Sequence, residues 1–251
     1  MFMKQKLIFL LMATAFTFGF AACGDDDDDI GNNEPGAINQ RNFPDPKFRE
    51  WLMNQEFGKD GVLTEEEIAK VISIDVSNMG IKSLVGIENF KALIELNCYE
   101  NQLMGLNLWN NPNLTILRCW KNQLYSLDVS ANTKLKQLWC GTNQLEALNV
   151  SQNSQLEILS CHTNQLTSLD LSQNKELSEL YFFSNQIRGS DMGLTIKSLN
   201  KPAHVAPGYL YAIYKPNEKN LMTVSNVEAA KAKGWKVLYS EGNDWLEYAG
   251  E

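Results

Sequence analysis

The residues that carry the most chemistry are four cysteines, Cys98, Cys119, Cys140 and Cys161, one every 21 residues. Thiols so spaced could pair as disulfides, hold a metal, or serve as small apolar side chains. Other reactive candidates are sparse. The two histidines are His162 and His204, and the chain has no Ser-His-acid pattern, phosphate loop or HExxH. Asp60, Gly61, Leu63 and Glu67 stand at the offsets of a calcium loop that would begin at Glu56. Gly58 cannot supply that loop's third ligand and Glu56 stands where aspartate belongs, so the segment reads as a degenerate loop and no metal is expected. No acidic pair is set in a pocket by the pattern. The chain therefore reads as a non-enzyme without a cofactor.

The elements that must position these groups are five near-copies: ALIELNCYENQLMGLNLWNNP, NLTILRCWKNQLYSLDVSANT, KLKQLWCGTNQLEALNVSQNS, QLEILSCHTNQLTSLDLSQNK and ELSELYFFSNQIRGSDMGLTI, beginning at Ala92, Asn113, Lys134, Gln155 and Glu176. A period between about 20 and 29 residues with the frame LxxLxCxxNxL is that of a leucine-rich-repeat solenoid. Each Leu-x-x-Leu-x-Cys forms one short strand of a parallel sheet on the concave face. Leu93, Leu96, Cys98, Leu103, Leu106 and Leu108 point inward, and their equivalents stack above them. Asn101, Asn122, Asn143, Asn164 and Asn185 form a column at the turn after the strand, where each amide can bond the open backbone groups of its own and the next repeat. The cysteines form another inward column. Their β-carbons should stand about 4.8 Å apart on parallel vectors, whereas a disulfide wants about 3.8 Å and convergence. Geometry thus favours reduced core thiols, and a linear row cannot make a tetrahedral zinc site.

Beyond the repeats the chain changes character. Residues 1–22, with Lys4 and Lys6 before the apolar Leu7–Phe20, read as a secretory signal too short for a comfortable span. Residues 23–44 read as an acidic disordered tether. Residues 45–73 read as a helical N-terminal cap, with Asp45-Pro46 opening one helix and Thr64 with Glu67 boxing a second. An irregular first repeat carries Ile74, Val76, Ile81 and Leu84, with Met79 in the asparagine column, and the repeats are expected to end at residue 196. Residues 197–251 read as a small α/β C-terminal cap. Tyr209–Tyr214 and Trp235–Tyr239 form its strands, and Ser225–Lys233 its helix, boxed by Ser225 and Glu228 and closed by Gly234.

Outward strand positions vary while the core columns stay fixed. One column holds Tyr99, Trp120, Gly141, His162 and Phe183; the other holds Asn97, Arg118, Trp139, Ser160 and Tyr181. Exposed aromatics with an arginine are the usual make-up of a binding hot spot. The candidate ligand-binding residues are therefore Tyr99, Arg118, Trp120, Trp139, His162, Tyr181 and Phe183. The alternative is that aromatics simply suit strands and pack on cross-strand neighbours. Flat rings could stack on sugars or anchor a protein. A formal net charge of −8 disfavours nucleic acid as the partner.

Three resemblances extend this reading. Phe20-Ala21-Ala22-Cys23 resembles the lipobox of bacterial lipoproteins, which implies lipidation of Cys23. The run Asp25–Asp29 behind it resembles the surface-export signal of Gram-negative lipoproteins, which implies display on the outer membrane. The Cys-x-x-Asn-Gln-Leu motif, matched four times with SLDVSxN closing the repeat, resembles the cysteine-ladder repeats of internalin-type surface proteins from Ile74 to about Thr195. That resemblance implies the class of adhesins and receptor binders and no particular ligand; the expected partner is a protein or glycan, with a host as one source. A glycan-binding or nutrient-capture lipoprotein and a structural envelope protein stand as alternatives.

Overall fold

The structure, a computed structural model, describes residues 36–204, 207–215, 218–241 and 244–250. The expected secretory signal, Cys23 and the acidic run lie outside them. Among the described residues nine strands form one sheet in chain order: β1 Ser73–Asp75, β2 Glu95–Asn97, β3 Ile116–Arg118, β4 Gln137–Trp139, β5 Ile158–Ser160, β6 Glu179–Tyr181, β7 Gly208–Tyr214, β8 Trp235–Glu241 and β9 Asp244–Glu247. All neighbours run parallel except β8 and β9. The sheet is in register through a single leucine column: Leu96 pairs with Leu117, then Leu138, Leu159, Leu180 and Leu210. Every member of that column is sealed from solvent, as are Cys98, Cys119, Cys140 and Cys161 beside it.

After each repeat strand the chain turns through a residue with positive φ: Glu100 at 55°, Lys121 at 52°, Thr142 and Thr163 at 53°, and Ser184 at 54°. Left-handed backbone is unfavourable for side chains of these types. It is held because the next residue is the ladder asparagine. Asn122 donates from Nδ2 to the carbonyls of Cys98 (2.9 Å) and Cys119 (3.1 Å), and its Oδ1 accepts the Leu103 N–H at 3.0 Å. Asn143, Asn164 and Asn185 repeat this set one repeat further on. A second asparagine column, Asn111, Asn132, Asn153 and Asn174, lies buried behind the leucines. Asn132 there donates to the carbonyls of Leu108 (3.1 Å) and Asn111 (2.9 Å).

The repeats expected to end at residue 196 do not end there. Leu210 stands in the leucine column and the fully buried Ala212 follows in the inward row. Asn220 then makes the ladder bonds, accepting from the Ile187 N–H at 3.0 Å and donating to the carbonyls of Phe182 (2.8 Å) and Ala212 (3.3 Å). Asn220-Leu221-Met222 takes the place of Asn-Gln-Leu, with Met222 buried. Two departures from the period conceal this repeat. Helix α3, Gly189–Ser198, replaces the return turn, and extra residues stand between β7 and Asn220.

Each end of the array is closed by a carboxylate that binds backbone N–H groups. At the N-terminal end, Asp45 caps α1, Pro46–Met53, through Oδ1, accepting from Lys47 (2.9 Å) and Phe48 (3.1 Å). Its Oδ2 accepts from Lys82 (2.7 Å) and Ser83 (3.2 Å), tying the helix to the first repeat. At the other end, interior repeats give the N–H of their positive-φ residue to the next repeat; Thr163, for instance, donates to the Phe183 carbonyl. Ser184 donates instead to Glu218, which also accepts from Tyr214, Lys219 and Asn220.

Two expected boundaries need correction. The tether does not run to residue 44, because Ala37, Ile38 and Phe43 are buried and the Ile38 N–H bonds the Gly61 carbonyl at 2.8 Å. Helix α4 spans Val224–Ala232 and is boxed by Thr223 and Asn226, two residues before the expected Ser225 and Glu228. As expected, Gly234 closes the helix, in left-handed backbone with φ of 90° just past the cap residue Lys233. The pair Thr64 and Glu67 boxes α2, Glu65–Ile68.

The aromatic face as candidate binding site

The outward positions of β2 to β7 and one residue of β9 build a face of two aromatic ladders. In the first, Tyr99 stacks on Trp120 with centroids 4.6 Å apart and planes within 7°. His162 stacks on Phe183 at 4.5 Å and 6°. Between these pairs stands Gly141, where a β-carbon would lie 2.6 Å from His162 Nε2. The missing side chain is what lets the imidazole lean over that strand. In the second ladder Trp139 and Tyr181 approach to 5.8 Å across Ser160, which is left only 2% exposed. Tyr181 then stacks on Tyr211 at 4.1 Å and 5°. In-register parallel strands hold like side chains about 4.8 Å apart, close to a stacking distance, so the sheet itself sets this geometry.

Both ladders end on Trp245 of β9. Its ring stands edge-on to Tyr211 at 4.9 Å and 86°, lies 5.2 Å from Phe183, and reaches Tyr214 at 6.4 Å. Of the expected site residues, the structure thus groups Trp139, His162, Tyr181 and Phe183 with three that sequence reasoning missed, Tyr211, Tyr214 and Trp245. Tyr99 and Trp120 form a separate pair, with Lys121 Nζ 4.9 Å from the Trp120 centroid. Arg118 is not a free anchor. Its Nη1 pairs with Glu95 and donates to Asn97 Oδ1 at 2.9 Å, so the guanidinium is held within the face.

The environment fixes the charge states. Burial pulls His162 down from 6.5 to about 4, so the imidazole in the stack is neutral near neutrality. Burial pushes the Cys140 thiol up to about 12 and raises Cys98, Cys119 and Cys161 as well. All four are free thiols. The half-fitting calcium loop is engaged otherwise. Asp60 Oδ1 accepts from the Val62 N–H at 3.0 Å, and Glu67, its carboxyl held low by its bonds from Thr64, closes the capping box. Among the described residues no group of three or more His, Cys, Asp or Glu is placed to hold a metal ion.

A parallel sheet built from in-register leucine repeats, one strand per turn, makes this chain a leucine-rich-repeat protein, and one that resembles the internalins. It is similar to internalin J from Listeria monocytogenes, whose functional domain includes a cysteine ladder: 28% identity over 85% of this chain and 49% of that one, TM-score 0.55. This chain therefore spans about half of the internalin J structure. Internalin C2 from the same organism matches 83% of this chain and 99% of its own at 19% identity and TM-score 0.55. A leucine-rich-repeat protein of Leptospira interrogans matches 72% of this chain and 46% of its own at 22% identity and TM-score 0.54. These two likenesses concern the fold alone. No protein-family profile matches the chain, and no curated protein matches it significantly. Among the described residues no helix is long and apolar enough to cross a membrane.

His162 gives this face a pH signature. The unfolded chain takes up its proton near pH 6.5 and the folded one only near 4. Within that window the unfolded state binds more protons, so folding stability should fall as pH drops from 6.5 to about 4 and stay level above it. In urea melts across that range, His162→Phe should lose less stability than the parent. Equal losses would mean that the ring is open to solvent.

Proposed function

We propose that this chain is a non-enzymatic binding protein of adhesin type, holding a protein ligand across the outer face of its sheet. The observation that carries this reading is the convergence of two aromatic ladders on Trp245. The core does not need these rings, because the leucine, cysteine and asparagine columns already seal and register the repeats. They form a broad, partly exposed, rigid surface, and such surfaces supply binding hot spots at low entropic cost. Stacking occupies ring faces and turns edges toward solvent. A sugar needs an open ring face to stack upon, so the geometry favours a protein partner over a glycan. The fixed Arg118–Glu95–Asn97 cluster adds polar groups at the other end of the same face.

The same reading places the protein on the cell surface, held in the outer membrane by lipid on Cys23. Its support is the short apolar run before that cysteine and the acidic stretch after it. Cys23→Ser should move the protein from the membrane fraction to the soluble fraction; retention in the membrane would remove the lipoprotein reading.

The ligand-binding claim is tested on parallel arrays of host extracellular proteins and of glycans. A hit is expected on the protein array. Trp139→Ala and Tyr211→Ala should each weaken that hit by roughly 30-fold, as for typical hot-spot aromatics. Met104→Ala, an exposed control off the ladders, should not. Circular dichroism should show all three variants folded. Binding confined to glycans would overturn the protein ligand, and undiminished binding by both aromatic variants would overturn the face.

A further inference from the structure

The thiol column has a property that neither packing nor ligand binding uses. Cys98, Cys119, Cys140 and Cys161 are fully sealed from solvent and free. A disulfide reagent must bring one of its sulfurs to a thiolate, and here nothing can approach. The thiols cannot pair with one another in the fold either. They follow strand positions in register, about 4.8 Å apart on parallel vectors, whereas a disulfide needs β-carbons about 3.8 Å apart and converging. Burial also keeps them protonated, which removes the nucleophile.

Unfolding reverses each of these conditions together. The chain then exposes four thiols spaced by 21 residues, and loops of that length close at small entropic cost. A link between any two would draw neighbouring strands off register and could not survive in the sheet. We propose that the cysteine column is a one-way redox latch: the folded protein is inert to disulfide oxidants, and a chain that unfolds in their presence is locked out of the solenoid.

With oxidised glutathione as oxidant the chemistry closes in two exchanges. One chain thiolate attacks a glutathione sulfur, forms a mixed disulfide and expels a glutathione thiolate. A second chain thiolate attacks the chain sulfur of that mixed disulfide and expels the other. The chain loses two electrons as its disulfide forms. The two protons released go to the two glutathione thiolates, so one oxidised glutathione becomes two reduced ones. The latch does not depend on any ligand. It would matter wherever an exported chain meets an oxidising medium.

The test uses the full chain carrying Cys23→Ser, so that only the four column thiols report. Free thiols are counted over time with oxidised glutathione, in buffer and in urea. Loss in buffer should be at least about 100-fold slower than in urea, the protection that a stable fold gives to groups exposed only by unfolding. The urea-oxidised chain, diluted into buffer, should fail to regain its native circular dichroism until dithiothreitol is added. Equal rates in buffer and urea would overturn the proposal, and so would an oxidised chain that refolds without reductant.

Discussion

The side-chain amides of the asparagine ladder are the bonds on which the rest of this structure depends. Each repeat strand ends at a residue in left-handed backbone, a conformation that glutamate, lysine, threonine and serine adopt only when the surroundings hold it. The asparagine that follows supplies that hold in both directions. It donates to carbonyls of its own and the preceding repeat and accepts an N–H from the preceding one. Leucines exclude water but would tolerate a small slip; three directed bonds per repeat would not. The ladder thus converts a non-directional core into a fixed register.

From that register the outer face follows. Strands that pair residue to residue place ring above ring, and the spacing of the sheet is close to the spacing at which rings stack. The face is therefore built by the same bonds that build the core, and it needs no pocket. The ends pose the remaining problem, since an outermost repeat has backbone groups with no neighbour. Asp45 and Glu218 meet it with carboxylates that gather several N–H groups each. Asn220 carries the ladder one repeat beyond the recognisable pattern, which brings Tyr211 into line with Tyr181.

What could be read from the chain and what could not divide along physical lines. The leucine and cysteine columns, Asn101 to Asn185, and the outward positions of Trp139 and Tyr181 were legible, because a strict period transmits one residue's direction to every repeat. Asn220 was hidden, because α3 lengthens one return turn and a loop separates β7 from its asparagine. Tyr211 lay in a stretch readable as a strand, but its partner could not be named without that register. Trp245 left no signal, since only the antiparallel reversal after β8 brings it beside Phe183. Arg118 looks like a free exposed group in the sequence, and its pairing with Glu95 depends on a cross-strand neighbour that the period does not describe. Residues 36–43 look like tether in the sequence because Ala37, Ile38 and Phe43 follow no periodicity, although all three are buried.

The central claim is that ladder amides, including the concealed Asn220, fix the register of the whole sheet. Native-state hydrogen exchange tests it most directly. The N–H groups of Leu103, Leu124, Leu145, Leu166 and Ile187 donate to the side chains of Asn122, Asn143, Asn164, Asn185 and Asn220 in turn. All five should exchange only through global unfolding, with one common free energy. Fast exchange of these amides, at the rate of open surface turns, would contradict the account. Loss of protection at Ile187 alone would contradict the place of Asn220 in the ladder.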